Sequence, residues 1–202
     1  KRLRMKKIEL TADSYLDIND LRLTAGGEAK GIDIQGREIQ VFGFKAASQG
    51  SGIDGTLEMQ ETVKRKYSLD FKLGELGGGG ARLDIGNVQM NFENAVFKNR
   101  RTILISLSKD RVRVDSFNLY HKENFVIGDL TFGFDESIDG SIKLEKLSLL
   151  DASELLGVKF PVKGEMSGEI KFGSSLKRPD LRADITARDL EYMEFKSDRL
   201  TL

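Results

Sequence analysis

The stretch from Phe160 to Phe172 constrains the fold more than any other part of the chain. Its even positions are Phe160, Val162, Gly164, Met166, Gly168, Ile170 and Phe172, and Pro161, Lys163, Glu165, Ser167, Glu169 and Lys171 fall between them. Successive side chains on a strand point to opposite faces, so the segment reads as a strand with one apolar and one charged side. The same alternation recurs at Ile103, Ile105 and Leu107, at Leu69, Phe71 and Leu73, at Val88, Met90 and Phe92, and from Leu181 to Ala187. A strand buried on both faces would read as a continuous Val/Ile/Leu run. Purely apolar runs here stop at three residues, as in Ile103-Leu104-Ile105. The expected sheet is antiparallel and wet on one side.

Turn signals arrive about every ten residues, the spacing of an antiparallel meander. They fall at Ala25-Gly26-Gly27, Gln49 to Gly52, Gly77 to Gly80, Lys109-Asp110, Asp139-Gly140 and Gly173-Ser174-Ser175. This predicts about fifteen short strands in a single β-rich domain over 1–202. Some strands slip phase midway: Val112 and Val114 are even, whereas Phe117 and Leu119 are odd. Keeping all four on one face requires a β-bulge or a strand break between them. Only Asp151 to Gly157 departs from the pattern. With Asp151 as N-cap, Glu154 three residues on and Gly157 as the stop, it predicts a short helix near 152–157. So short a helix needs tertiary support, which Leu155 and Leu156 would supply by docking on the sheet as an end plug or lid.

Composition narrows the function classes. Thirty-two Lys and Arg balance 32 Asp and Glu, which argues against a nucleic-acid binder that depends on surplus cations. There is no cysteine, hence no disulfide, Cys-zinc site or thiol nucleophile. No apolar run approaches the ~18 residues of a membrane-spanning helix, and no signal peptide is read. The chain opens at Lys1 and runs in strand-like sequence to Leu202, and is read as a piece of a longer protein.

Motifs that could carry chemistry are sparse. His121 is the only histidine, so a His dyad or multi-His metal site is not expected, and it reads as a solvated loop residue. Gly50-Ser51-Gly52-Ile53-Asp54-Gly55 has the letters of a dinucleotide loop, but Leu57, Met59 and Val63 follow with strand parity, so it reads as a hairpin turn. Gly77 to Gly80 lacks the Lys-Ser/Thr of a phosphate loop. Asp17-Ile18-Asn19-Asp20 begins like a calcium loop with its Gly and distal Glu misplaced. The basic clusters at Lys1 to Lys7, Lys64 to Lys66, Arg100-Arg101 and Lys177-Arg178 read as solvated turns and guarded strand edges, with a headgroup-contacting rim as the alternative. Neither a catalytic constellation nor a cofactor or metal site is expected.

The last third carries a resemblance. Leu147 to Leu156 leads into Gly164-Glu165-Met166-Ser167-Gly168-Glu169-Ile170, then Pro179-Asp180-Leu181-Arg182-Ala183-Asp184-Ile185 and Asp189-Leu190-Glu191-Tyr192. This strand, short helix, G-x-x-x-G strand, P-x-L-x-A strand and D-L succession resembles the TamB/AsmA-like proteins of Gram-negative envelopes. Val112 to Leu119, followed by Phe125 to Leu130, is similar to their degenerate strand repeats. The resemblance implies an elongated antiparallel sheet curled into an open apolar trough, the β-taco. It also implies a periplasmic location, with the parent chain anchored in the inner membrane by a segment this sequence lacks. The implied function is phospholipid transfer between inner and outer membranes during outer-membrane biogenesis. The implied partners are phospholipid acyl chains and an outer-membrane barrel protein of the assembly family.

Physical scale supports asking what covers the apolar side. Fifteen strands at ~4.8 Å spacing extend on the order of 70 Å, and eight residues at ~3.3 Å span about 26 Å. One face is then on the order of 1,800 Å², well beyond the apolar patch a soluble monomer ordinarily exposes. It must close on itself as a sandwich or barrel, or be filled by a guest. For a lipid groove, the lining residues are Phe160, Val162, Met166, Ile170 and Phe172, with Ile103, Ile105 and Leu107 from another strand; plain core packing is their alternative role. A second function is a scaffold or chaperone for outer-membrane protein assembly and secretion, offering a strand edge for β-augmentation. A third is an inert β-spacer.

Overall fold

The structure is a computed structural model that describes residues 3–4, 6–17, 20–34, 37–49, 52–76, 80–157 and 162–201. The chain is all-β, built as a long antiparallel sheet that does not close into a barrel, with one short helix among the described residues. It divides into two compact units, 1–96 and 97–202.

The first unit holds β1 (Leu3–Arg4), β2 (Lys7–Asp17), β3 (Asp20–Ile34), β4 (Arg37–Gln49), β5 (Gly52–Gln60), β6 (Lys66–Leu76) and β7 (Gly80–Asn91). β1 and β2 pair with successive parts of β3, and β3 to β7 follow as a simple meander. Cross-strand partners share a face, so the register defines transverse rows of side chains. One row reads Leu10, Gly27, Phe44, Leu57, Leu69 and Val88; the next reads Ile8, Ala29, Phe42, Met59, Tyr67 and Met90. At its end Tyr67 meets the buried Phe92 edge to face. Ala25-Gly26-Gly27 is no turn: it lies inside the fifteen-residue β3.

The second unit begins within β8 (Val96–Lys98) and continues through β9 (Ile103–Leu107), β10 (Arg111–His121), β11 (Asn124–Gly133), β12 (Ile138–Ser148), helix α1 (Leu149–Leu156), β13 (Lys163–Ser175), β14 (Arg178–Tyr192) and β15 (Phe195–Thr201). β8 and β9 pair with opposite ends of β10, so they act as one strand interrupted at 99–102. Asn118 closes the interruption: its Oδ1 accepts from the N–H groups of Arg100 and Arg101 at 2.7 and 3.0 Å. From β10 to β15 each strand pairs with the next.

The phase slip expected in β10 is a bulge. The register shifts between Val114 and Phe117, with Ser116 at φ 59°. The same Φ-x-polar-Φ spacing recurs at Leu144 to Leu147, with Lys146 at φ 49°, and at Ala187 to Leu190, with Asp189 at φ 51°. Two of the displaced N–H groups are caught by the neighbouring strand: Ser116 donates to Asp129 Oδ1 (2.8 Å) and Lys146 to Ser167 Oγ (2.9 Å). Bulges let strands run long without turning their apolar side outward. This is how β14 reaches fifteen residues where short strands were expected, while β3 reaches the same length in constant register with its neighbours. It also places Asp139-Gly140 inside β12 and Gly173 to Ser175 inside β13, with the turns a few residues away.

The helix is present with shifted boundaries. It starts at Leu149, and Ser148, not Asp151, is the N-cap, its Oγ accepting from Asp151 N–H at 2.9 Å. Gly157, at φ 65°, ends it in the left-handed conformation as expected. Among its described side chains Asp151 and Ala152 are buried and Leu155, expected to dock, is half-buried, while the Leu156 side chain lies outside the described residues; the small Ala152 side chain permits a close approach to β12 and β13.

Candidate functional site

The apolar face of the second unit is the candidate site. One row crosses it through Ile105, Val114, Leu130, Gly140, Phe172 and Leu181. Beside it run Leu107, Val112, Phe132 and Ile138 on one flank, and Phe117, Gly128, Ile142, Ile170 and Ala183 on the other. Further along come Leu119, Val126, Leu144, Gly168 and Ile185, then Leu147, Met166, Ala187 and Leu200. The residues singled out on β9 and β13 therefore share one face. They are not neighbours: Ile105 and Phe172 stand four strands apart, on the order of 19 Å. Val162 is half-buried just ahead of β13. Phe160 lies outside the described residues, as do parts of the loops at 17–20, 50–55 and 77–80 and of the basic stretch at 1–7.

Burial across this face is graded. Ile103 is only 4% exposed, and Leu119, Val126, Ile138, Leu144 and Leu147 are buried. On β13, Met166, Ile170 and Phe172 are half-buried. On β14, Leu181 is 54% exposed, and every residue of β15 is exposed. Leu107, in the outermost row, is 42% exposed. A closed core would have buried these positions alike; here the covering is uneven.

Part of that covering comes from α1, which packs on β12 and β13. Asn124, at the start of β11, donates from Nδ2 to Asp151 Oδ2 at 2.7 Å, which ties the helix across the strand ends. Nearby, Phe97 is fully buried, and its ring centroid lies 5.6 Å from that of His121. His121 ends β10 and is partly buried, not a solvated loop residue. A carboxylate buried beside this apolar cluster is costly unless hydrogen-bonded. Asn124 meets that need.

The opposite face is charged and paired along its own strands. Arg113 contacts Asp115 at 2.6 Å, Lys171 contacts Glu169 at 3.2 Å and Arg182 contacts Asp180 at 3.3 Å. Exposed pairs of this kind add little stability, about 0–1 kcal/mol each, but they keep the outer face wet. Arg100 stacks over the Tyr120 and Phe125 rings at 4.9 and 4.1 Å, shielding the two aromatics that point outward.

Strand ends away from α1 meet in three turns. Arg111 and Ser108 hydrogen-bond the Asp110 carboxylate and hold its pKa at about 2, below the ordinary 3.8. Ser137 donates through its hydroxyl (2.6 Å) and its N–H (3.0 Å) to Asp135, lowering that pKa as well.

Of the deeply buried members, Leu119 was placed on the apolar face by the phase slip, whereas sequence reasoning did not single out Val126, Leu144 and Leu147 as buried. The signal was present in the bulge spacing, which carries the apolar pattern from one parity to the other. No family model, curated protein or solved structure matches this chain.

Proposed function

We propose that this chain is a segment of a trough-shaped lipid carrier of the Gram-negative periplasm, in the manner of the TamB/AsmA-like proteins it resembles. Phospholipid tails lie against the apolar face while headgroups stay in water, and the parent chain passes lipid between the two membranes. The observation that carries this reading is the half-covered apolar face from β9 to β14, backed by a charged outer face. Apolar contact is non-directional, so such a face holds many tails without fixing one. Met166, Ile170 and Phe172, with Ile105 and Leu107, would line the path.

Mass spectrometry of gently purified protein is expected to find bound phospholipid. Ile170→Arg should abolish it while circular dichroism stays unchanged, because the half-buried site lets a long cation reach water. Global unfolding by that substitution, or wild-type protein free of lipid, would overturn the proposal.

The scaffold reading is favoured by one observation: β15 is exposed along its whole length and pairs with β14 alone among the described residues. Unpaired edges are templates for an added strand. Capture of unfolded barrel strands by lipid-free protein would support it.

A further inference from the structure

We propose that the rim formed by the turns at 108–111, 133–137 and 175–178 is a membrane-docking edge, seated on a phospholipid bilayer with Phe134 and Leu176 entering its interface. Turn tips ordinarily carry Gly, Pro, Asn, Asp or Ser. Here Phe134 is 61% and Leu176 52% exposed, on adjacent turns. The three turns are bound to one another through the main chain. Phe134 N–H donates to Asp110 O and Leu176 N–H to Glu136 O, each at 2.8 Å, and Gly133 N–H donates to Ser137 O at 2.9 Å. Both apolar side chains are thus held out to solvent by an ordered frame, so inserting them costs little further ordering.

Charge selects the occupant. The rim carries four cations, Lys109, Arg111, Lys177 and Arg178, against three anions, Asp110, Asp135 and Glu136. Arg111 and Lys177 are already paired, with Asp110 and Glu136, at 2.6 Å each. Lys109 and Arg178 have no ion pair among the described residues, which leaves two cations beside two apolar tips. Long cations flanking an aromatic and an aliphatic side chain match the layered chemistry of a bilayer surface, phosphate outside and hydrocarbon beneath. The near-balance of the remaining charge suits a zwitterionic surface and not a strongly anionic one. Directly inside the rim lies the row Leu107, Val112, Phe132 and Ile138, so docking would set the bilayer against the apolar face. In purpose, though not in its test, this docking rests on the lipid-carrying reading.

The test is flotation of the full chain with phosphatidylcholine vesicles, with and without phosphatidylglycerol, at low and high salt. Wild-type protein is expected to float with phosphatidylcholine alone and to remain bound in high salt. The double variant F134D/L176D should lose roughly tenfold or more of its vesicle affinity, with circular dichroism unchanged. K109E/R178E should weaken binding by a smaller factor, mainly at low salt. Wild-type protein that fails to float, that floats only with phosphatidylglycerol at low salt, or that floats equally well as F134D/L176D would overturn the proposal. I170R separates the two readings. It is expected to float like wild type while losing copurified phospholipid, whereas F134D/L176D keeps its copurified phospholipid. Flotation that depends on the tips, in a protein that never copurifies lipid, would leave the docking edge standing and remove the groove.

Discussion

Gly140 and Gly168 sit on the apolar face where the neighbouring strand comes too close for any side chain. A Cβ at Gly140 would land on the Asp129 carbonyl oxygen, and one at Gly168 on that of Asp184. Both residues also hold positive φ, 142° and 153°, a conformation L side chains rarely adopt. Glycine inside a strand marks a close backbone approach or a bend, and here it lets the neighbouring backbone approach without a side chain in the way. Gly74 is the natural control, because a Cβ there would meet nothing within 4 Å. G168A is expected to lower unfolding stability by about 2–4 kcal/mol, from strain and overlap together. G74A should change it by less than about 1 kcal/mol, toward greater stability, by restricting the unfolded chain. Urea denaturation of the two variants checks this, and equal effects would contradict the close-approach argument.

At the scale of the strand, the bulges decide which residues face inward. Leu144 and Leu147 are both buried because Lys146 is an extra residue between them. Deleting Lys146 would restore strict alternation and keep both leucines inside, at a cost of about 1–2 kcal/mol from the altered local twist. Deleting Lys143 instead turns Leu144 outward and Glu145 inward, and should unfold or aggregate the protein. Hydrogen exchange across β12 in the two deletions would separate these outcomes; equal protection would mean that register does not depend on the bulge. Such logic was partly legible beforehand. The even-to-odd shift from Val114 to Phe117 is visible in the sequence, as is the apolar side of β13. Which rows meet was not legible, because no strand encodes its own partner's register. The helix cap was misread because Ser148 closes an alternating stretch, Leu147-Ser148-Leu149, that looks like strand to its end. Ala152 as the docking residue was hidden because a methyl group gives little signal in a hydrophobic pattern, although a short helix tied down through Asp151 has room for little more.

For the molecule as a whole, the uneven covering of the apolar face is an energetic problem as well as a functional clue. Soluble monomers rarely show more than a few hundred Å² of contiguous apolar surface. In the second unit the covering thins steadily from β12 to β15, and in the first Ile8 and Leu10 on β2 are exposed as well. If lipid is the missing cover, it acts as a ligand that binds the folded chain and not the unfolded one, and so raises apparent stability. A ligand at 100 times its Kd contributes about 2.7 kcal/mol. For a chain of this size that is a shift on the order of 5–10 °C in Tm. Detergent-stripped protein should therefore melt on the order of 5–10 °C lower than gently purified protein and bind more of a fluorescent hydrophobic dye. Returning phospholipid should reverse both changes, and I170R should show neither the loss nor the recovery, since its groove is already blocked. A stripped protein with the native Tm and no dye binding would mean that the face needs no guest, and the apolar rows from Ile105 to Leu181 would then be core and nothing more.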